Sequence, residues 1–139
     1  MSDLARAKDL VASGECTCAL IRGDKIASSK KRGVLPLVEL IDSGEDYNGF
    51  SAADKVVGKA AAFLYVLLGV SELYAFLISE SALTVLEKGG VRVQFSQRVE
   101  AIMNRTNTGF CPMETATKDI DDANEALVAI RCALEALKA

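Results

Sequence analysis

The amino-acid sequence predicts an α/β protein with three layers, in which one sheet lies between helices on both of its faces. Helices and strands alternate along the chain, because apolar residues recur at helical spacing in several segments and short apolar runs lie between those segments. Half of the 139 residues are apolar and a quarter are charged, which is typical of a folded domain with a sizeable core. We expect residues 1–139 to form a single domain.

The N-terminal half is predicted to contain a β-hairpin and three helices. Gly14 ends the first helix, Pro36 begins the second, and Ser51 is a favourable N-cap for the third. The hairpin turns at residues 23–24, where Gly-Asp separates two strand-like runs. In chain order we predict a helix at 3–13, strands at 16–22 and 25–29, a helix from 36 to before 44, a loop at 44–50 and a helix at 51–68.

The C-terminal half is predicted to begin with a buried central strand, because both of its faces carry apolar residues. Gly89-Gly90 then stops a helix, and a long amphipathic helix ends the chain. Cys132 lies beside the apolar stripe of this last helix, so we expect it to be a small core residue. The predicted elements are a strand at 72–79, a helix at 81–88, strand regions at 91–95 and 99–103, and a helix from 119. The two strand regions form either two strands or one strand and a turn.

Composition excludes several classes of function. The sequence contains no histidine, which removes Ser-His-Asp and Cys-His catalysis and histidine metal ligands. A net charge of −3 and a pI near 5.0 argue against a nucleic-acid partner. The longest apolar run, at residues 60–70, is too short to span a bilayer. No signal peptide is visible and four scattered cysteines do not form a disulfide framework, so we expect a cytoplasmic protein.

Three motifs carry a resemblance to known proteins. They are Ala-Asp-Lys-Val-Val-Gly-Lys-Ala at residues 53–60, the pair Asn104-Arg105, and Cys-Pro-Met-Glu at residues 111–114. Together they resemble a bacterial family of unknown function with a cytidine deaminase-like fold, and the resemblance covers nearly the whole chain. The resemblance implies a mixed sheet of about five strands and a pocket at the starts of two helices. It also implies a possible homo-oligomer, because proteins with such folds often self-associate.

The zinc ligands of deaminases are missing from the corresponding positions. Deaminases begin one helix with His-x-Glu or Cys-x-Glu and a second with Pro-Cys-x-x-Cys, and zinc lies between the two helix starts. In this sequence Ala53 occupies the position of the first zinc ligand and Lys55 that of the proton-shuttling glutamate. Ala82 and Val85 occupy the positions of the two cysteines. We therefore expect no metal, no other cofactor and no zinc-dependent deaminase activity.

The stretch around Gly58-Lys59 contains the candidate ligand-binding residues. It lacks the first glycine and the Ser/Thr of a phosphate loop. On the predicted helix, Lys55 and Lys59 share one face and either form a solvated strip or bind an anion or carbonyl group in the vacated pocket. Gly58 would allow a ligand to approach closely. Asp54 completes a capping box with Ser51, or alternatively orients a lysine in catalysis.

Cys111 is the best candidate nucleophile in a chain without histidine. Pro112 and Glu114 follow it as in the first turn of a helix, which makes Cys111 an N-cap whose thiol is either activated or simply packed. Asn104 and Arg105 lie in a polar loop after a strand, a usual place for ligand contacts. We add Asn104, Arg105 and Glu114 to the candidate ligand-binding residues.

Two hypotheses of function follow. In the first, the protein binds a small anionic or carbonyl-bearing molecule in the vacated deaminase pocket and has no zinc deaminase activity. In the second, it is an enzyme with non-metal chemistry, in which Cys111 attacks, Lys55 or Lys59 acts as acid, base or electrostatic stabiliser, and Asp54 orients the lysine. A structural or RNA-associated module has less support because the chain is acidic and contains few aromatic residues.

Overall fold

The computed structural model describes residues 1–103 and 111–138. In chain order its helices and strands are α1 Asp3–Ala12, β1 Cys18–Arg22, β2 Lys25–Ser29, α2 Leu35–Asp42, β3 Ser51–Val57, α3 Lys59–Leu68, β4 Glu72–Ser79, α4 Glu80–Lys88, β5 Arg92–Val99, α5 Pro112–Thr117 and α6 Ala123–Lys138. The strands form one five-stranded sheet in the order β2-β1-β3-β4-β5. Strand β1 is antiparallel to both β2 and β3, whereas β3, β4 and β5 are parallel. The predicted α/β class and the mixed sheet of about five strands are confirmed.

Each face of the sheet has its own apolar core. Helix α1 packs on one face, where Ala7 and Val11 meet Ala19 and Ala53 of the sheet. The other five helices lie on the opposite side and contribute to a larger cluster. Because successive residues of a strand point to opposite faces, neighbouring positions in β1 and β3 serve the two cores alternately.

Helix α3 is the centre of the larger core. All ten of its residues are buried or half-buried, and the helix contacts α2, α4, α5 and α6 as well as β3. A helix that is apolar on every side is stable only when it is surrounded by other elements. It ends at Gly69, whose positive φ of 78° is the left-handed cap that glycine adopts most easily.

The predicted helix at 51–68 is wrong in its first part. Residues Ser51–Val57 form strand β3, which pairs with β1 on one side and with β4 on the other. The Ser51 hydroxyl donates to the Glu72 carboxylate at 2.6 Å and does not cap a helix. Two strand ladders and burial on both faces outweigh the helix propensity of the alanines here. The helix itself begins at Lys59.

Two smaller predictions have different outcomes. Of the two alternatives for residues 91–103, the structure has one strand, β5, at the edge of the sheet, with a bend at Glu100 after it. Cys132 is exposed and not a core residue, because the buried positions of α6 are Ala126 and Ile130 on another side of the helix. Among the residues that the structure describes, no helix is both long enough and apolar enough to cross a membrane.

The central position of α3 predicts that Leu→Ala lowers the free energy of unfolding much more in α3 than at an exposed position. Leu64 is fully buried in α3, whereas 62% of Leu137 in α6 is exposed. Leu64→Ala should lower the free energy of unfolding by about 2–5 kcal/mol, because it leaves a cavity in the main core. Leu137→Ala should change it by no more than about 0.5 kcal/mol. Urea unfolding of the two variants checks this, and equal losses would contradict the central role of α3.

Candidate functional site

The candidate site lies where two neighbouring parallel strands end and the helices after them begin. Gly58 follows β3 and is the N-cap of α3, while Ser79 ends β4 and caps α4 by accepting a hydrogen bond from the Ala82 amide at 3.2 Å. The first amides of a helix have no partner within the helix, and the carboxyl ends of parallel strands commonly line ligand crevices. The two helix starts therefore meet at the edge of the sheet where a ligand site is expected.

The N-terminus of α3 is capped by a carboxylate from a distant part of the chain. Glu114, in the first turn of α5, accepts a hydrogen bond from the Lys59 amide through Oε1 at 2.5 Å. This oxygen lies only 1.9 Å from the place where a Cβ on Gly58 would be, so any other residue at this position would displace the Glu114 carboxylate. Burial raises the pKa of Glu114, although the Lys59 amide and the Lys59 charge oppose the shift.

The side chain of Lys59 extends from the same helix start. Its Nζ donates to the backbone carbonyl of Lys118 at 2.9 Å and lies 5.8 Å from the centre of the Phe63 ring. Lys118 is the C-cap of α5. Lys59 thus contacts α5 twice, through its amide near the start of that helix and through its ammonium group at the end.

A groove of about 390 Å³ lies between α3, α4 and the start of α6. Its apolar lining comes from Phe63 and Val66 of α3 and Val85 of α4. Apolar walls with a few polar groups are usual in sites for small molecules.

The polar lining of the groove carries both signs of charge. Lys59 and Lys88 provide positive charge, and the hydroxyl residues Ser81 and Thr84 lie along α4. Asp121 and Asp122 contribute carboxylates from the other wall. Asp122 also accepts a hydrogen bond from the Glu125 amide at 2.9 Å, so one of its oxygens caps the start of α6.

Sequence reasoning found Lys59 but missed the rest of the polar lining. Ser81, Thr84 and Lys88 recur at spacings of three and four residues, which is the signal of one helix face and identifies a polar stripe on α4. Nothing in the sequence indicates that this stripe faces α3 and the start of α6, since that pairing depends on how the helices pack.

Cys111 has the predicted position but makes no capping bond in the structure. It is the N-cap of α5, with Pro112 at the first helical position, so the expected helix start is confirmed. Its thiol is half-buried against the main core, and its amide donates to the Ile102 carbonyl at 3.0 Å. Asn104 and Arg105, the other predicted ligand-binding residues of this region, lie outside the described residues.

Asp54 lies in the core and not at a helix start, so the predicted capping box is wrong. It sits in β3 directly opposite Cys18, and its Oδ2 accepts a hydrogen bond from the Tyr65 hydroxyl at 2.7 Å. A weaker bond of 3.4 Å joins Oδ1 to the Val56 amide. Burial raises the pKa of Asp54 to about 7, against the lowering effect of these hydrogen bonds. Burial and the Asp54 charge also raise the pKa of Tyr65.

Lys55 does not accompany Lys59, and the predicted shared helix face is wrong. Lys55 is an exposed residue of β3, while Lys59 begins α3. Successive residues of a strand point to opposite faces, so Asp54, which faces Tyr65, is not placed to orient Lys55. Of these three charged residues, the groove includes only Lys59.

The two cysteines near the N-terminus, Cys16 and Cys18, lie in different cores although they are two residues apart. Cys16 belongs to the core under α1, whereas Cys18 belongs to the core around α3. Burial raises the pKa of both thiols, that of Cys18 to about 12. Within residues 1–103 and 111–138, no group of three or more Cys, Asp or Glu side chains is close enough to hold a metal ion.

The comparisons with known proteins place the chain in a family. The chain belongs to the family described as "Domain of unknown function (DUF1893)", which matches residues 6–134. A crystal structure of a DUF1893 family protein from Thermotoga maritima is similar at 25% identity, with a TM-score of 0.86 over 95% of this chain and 90% of that chain. The dCMP deaminase from the cyanophage S-TIM5 is similar at 15% identity, with a TM-score of 0.43 over 70% of this chain and 94% of that chain. No curated protein matches the sequence.

The buried carboxyl group of Asp54 predicts a pH-dependent stability. Its pKa is raised from 3.8 to about 7 in the folded protein, so its contribution is complete below pH 3.8 and is lost as the pH rises towards 7. The loss is on the order of 4 kcal/mol for a shift of this size. Asp54→Asn should remove most of this dependence of the free energy of unfolding on pH. The raised pKa of Glu114 should leave a smaller slope of the same sign.

Urea unfolding at several pH values between 4 and 8 measures the slope. The absence of histidine keeps this window free of imidazole titration. Asp46→Asn is a matched control, since hydrogen bonds from Asn48 lower the pKa of this exposed carboxyl group. If Asp54→Asn keeps the wild-type slope, Asp54 is not a buried titrating group.

Proposed function

We propose that the protein binds a small anionic or carbonyl-bearing molecule in the groove between α3 and α4, without zinc-dependent deaminase activity. The observation that carries this proposal is the position of Lys59. It begins α3 at the carboxyl ends of parallel strands, and it lines a groove of about 390 Å³. A cation beside a helix N-terminus attracts negative charge, and an ammonium group donates well to carboxylate, phosphate or carbonyl oxygens.

The remaining lining of the groove supports a ligand of mixed character. Phe63, Val66 and Val85 would contact an apolar part of the molecule, and the Ser81 and Thr84 hydroxyls could donate or accept hydrogen bonds. Asp121 and Asp122 would repel a second anionic group on the opposite side. The arrangement therefore favours one acidic or carbonyl end over a polyanion.

The residues at the two helix starts support the absence of zinc deaminase activity. Hydrolytic deamination requires a metal-activated water held by thiolate or imidazole ligands, with a carboxylate for proton transfer. Gly58 and Lys59 begin α3, and Ser79 and Glu80 begin α4. None of these four residues is a thiolate or an imidazole, and the nearby Glu114 carboxylate is engaged with the Lys59 amide.

The alternative, an enzyme that uses Cys111, has less support from the geometry. Asp54 is bonded to Tyr65 inside the core, and Lys55 is exposed on β3. These two residues therefore do not form the orienting pair that the alternative requires.

Binding of two simple probes tests the proposed site. Inorganic phosphate and pyruvate represent an anion and a carbonyl-bearing carboxylate, and amide shifts in an NMR titration locate where each one binds. We expect the shifts to cluster in α3 and α4. Lys59→Met should weaken binding by about tenfold to a hundredfold, because it removes a charged hydrogen-bond donor.

Lys55→Met is the matched control, since it makes the same chemical change at a lysine outside the groove. It should leave the affinity unchanged. Shifts confined to other parts of the chain, or equal effects of the two variants, would overturn the proposed site.

A further inference from the structure

Helix α5 is held against α3 by one residue at both of its ends. The Lys59 amide bonds the Glu114 carboxylate in the first turn of α5, and the Lys59 ammonium group bonds the Lys118 carbonyl at its C-cap. Between them, Met113 and Thr117 are the buried residues of α5. A helix of six residues has little stability by itself, so its docking depends on these contacts and on its packing against α6.

The contact at Glu114 is close, and burial of the carboxylate carries a desolvation cost. Glu114 places a carboxylate oxygen where any side chain on residue 58 would have to be. Burial raises its pKa, which means that the ionised carboxylate is held there at a cost that release into water would recover. The contact is therefore specific in shape, and desolvation offsets part of its favourable energy.

Lys59 also lines the groove, and its ammonium group has two protons besides the one that it donates to the Lys118 carbonyl. An anion that accepts one of these protons offsets the Lys59 charge, which favours the ionised Glu114 carboxylate at the start of α5. Lys118 begins the connection to α6, and Asp121 and Asp122 of that connection form part of the groove wall. Occupation of the groove and docking of α5 thus act on the same ammonium group.

We propose that α5 is a latch that Lys59 holds closed at both ends, and that an anion bound by Lys59 in the groove opens it. The second half rests on the proposed ligand site, whereas the first half concerns the protein without ligand. Opening would expose Cys111, which is half-buried at the start of α5.

The cysteines provide the readout for the latch. Mass spectrometry can follow alkylation of each thiol separately in one sample. Cys111 reports release of α5, the exposed Cys132 serves as an internal reference, and Cys18, which is 2% exposed, reports global unfolding. No added ligand is needed for this measurement.

Two single variants should open the latch by different routes. Glu114→Ala removes the carboxylate, and Gly58→Ala expels it by placing a methyl group at its oxygen. Each should raise the alkylation rate of Cys111 by roughly tenfold, the effect of losing one charged hydrogen bond. The rates at Cys132 and Cys18 should stay unchanged.

The double variant Gly58→Ala/Glu114→Ala makes the test specific. Once the carboxylate is absent, the nearest remaining atom to the added methyl group is Ile102 Cγ1, at 3.2 Å, and a small shift of that side chain accommodates it. The double variant should therefore react no faster at Cys111 than Glu114→Ala alone. Additive increases, a parallel rise at Cys18, or unchanged Cys111 rates in both single variants would overturn the latch.

Saturating inorganic phosphate tests the coupling in the wild-type protein. The Cys111 rate should rise on phosphate binding, and Lys59→Met, which already lacks the ammonium group, should show no response. Phosphate bound in the groove with an unchanged Cys111 rate overturns the coupling and leaves the binding site standing. Failure of phosphate to bind counts against the proposed function, whereas the ligand-free variants still decide whether α5 is a latch.

Discussion

The structure depends on the burial of α3, whose ten residues are all buried or half-buried. Such a helix brings some of its polar groups into the protein interior, where water cannot satisfy them. Two such groups matter here, the Tyr65 hydroxyl in the body of the helix and the Lys59 amide at its start. Each is paired with a carboxylate from another element, Asp54 of β3 and Glu114 of α5 respectively. The helix is thus fixed to the sheet below and to a short helix beside it.

Burial raises the pKa of both carboxyl groups, but the two differ in the charges around them. Asp54 lies under α3 within the core, and it is balanced only by hydrogen bonds from neutral groups. Glu114 lies at the helix start, where the helix dipole and the Lys59 charge both favour a negative group. The surroundings of Glu114 therefore favour a negative charge, whereas those of Asp54 do not.

The sequence predicts most elements because their signals are local. Gly14, Pro36 and the Gly89-Gly90 pair mark helix boundaries through backbone preferences that need no partner. The stretch at 51–57 was predicted wrongly because alanines and a Ser-x-x-Asp pattern suit a helix start, and only pairing with β1 and β4 makes it a strand. The sequence indicates both Lys59 and Glu114 as candidate ligand-binding residues. It does not indicate their contact, because they are 55 residues apart and no local pattern reports on that distance.

By itself, the sequence determined the α/β class, the central apolar segments and the helix start at Cys111. These follow from periodicity, composition and capping residues, which act over a few neighbouring positions. The tertiary structure decided which charged residues meet. Strand pairing carried Asp54 into the core and left Lys55 exposed, and the packing of α5 on α3 brought Glu114 to the space above Gly58. Contacts between distant segments depend on how whole elements pack, and no short pattern encodes that arrangement.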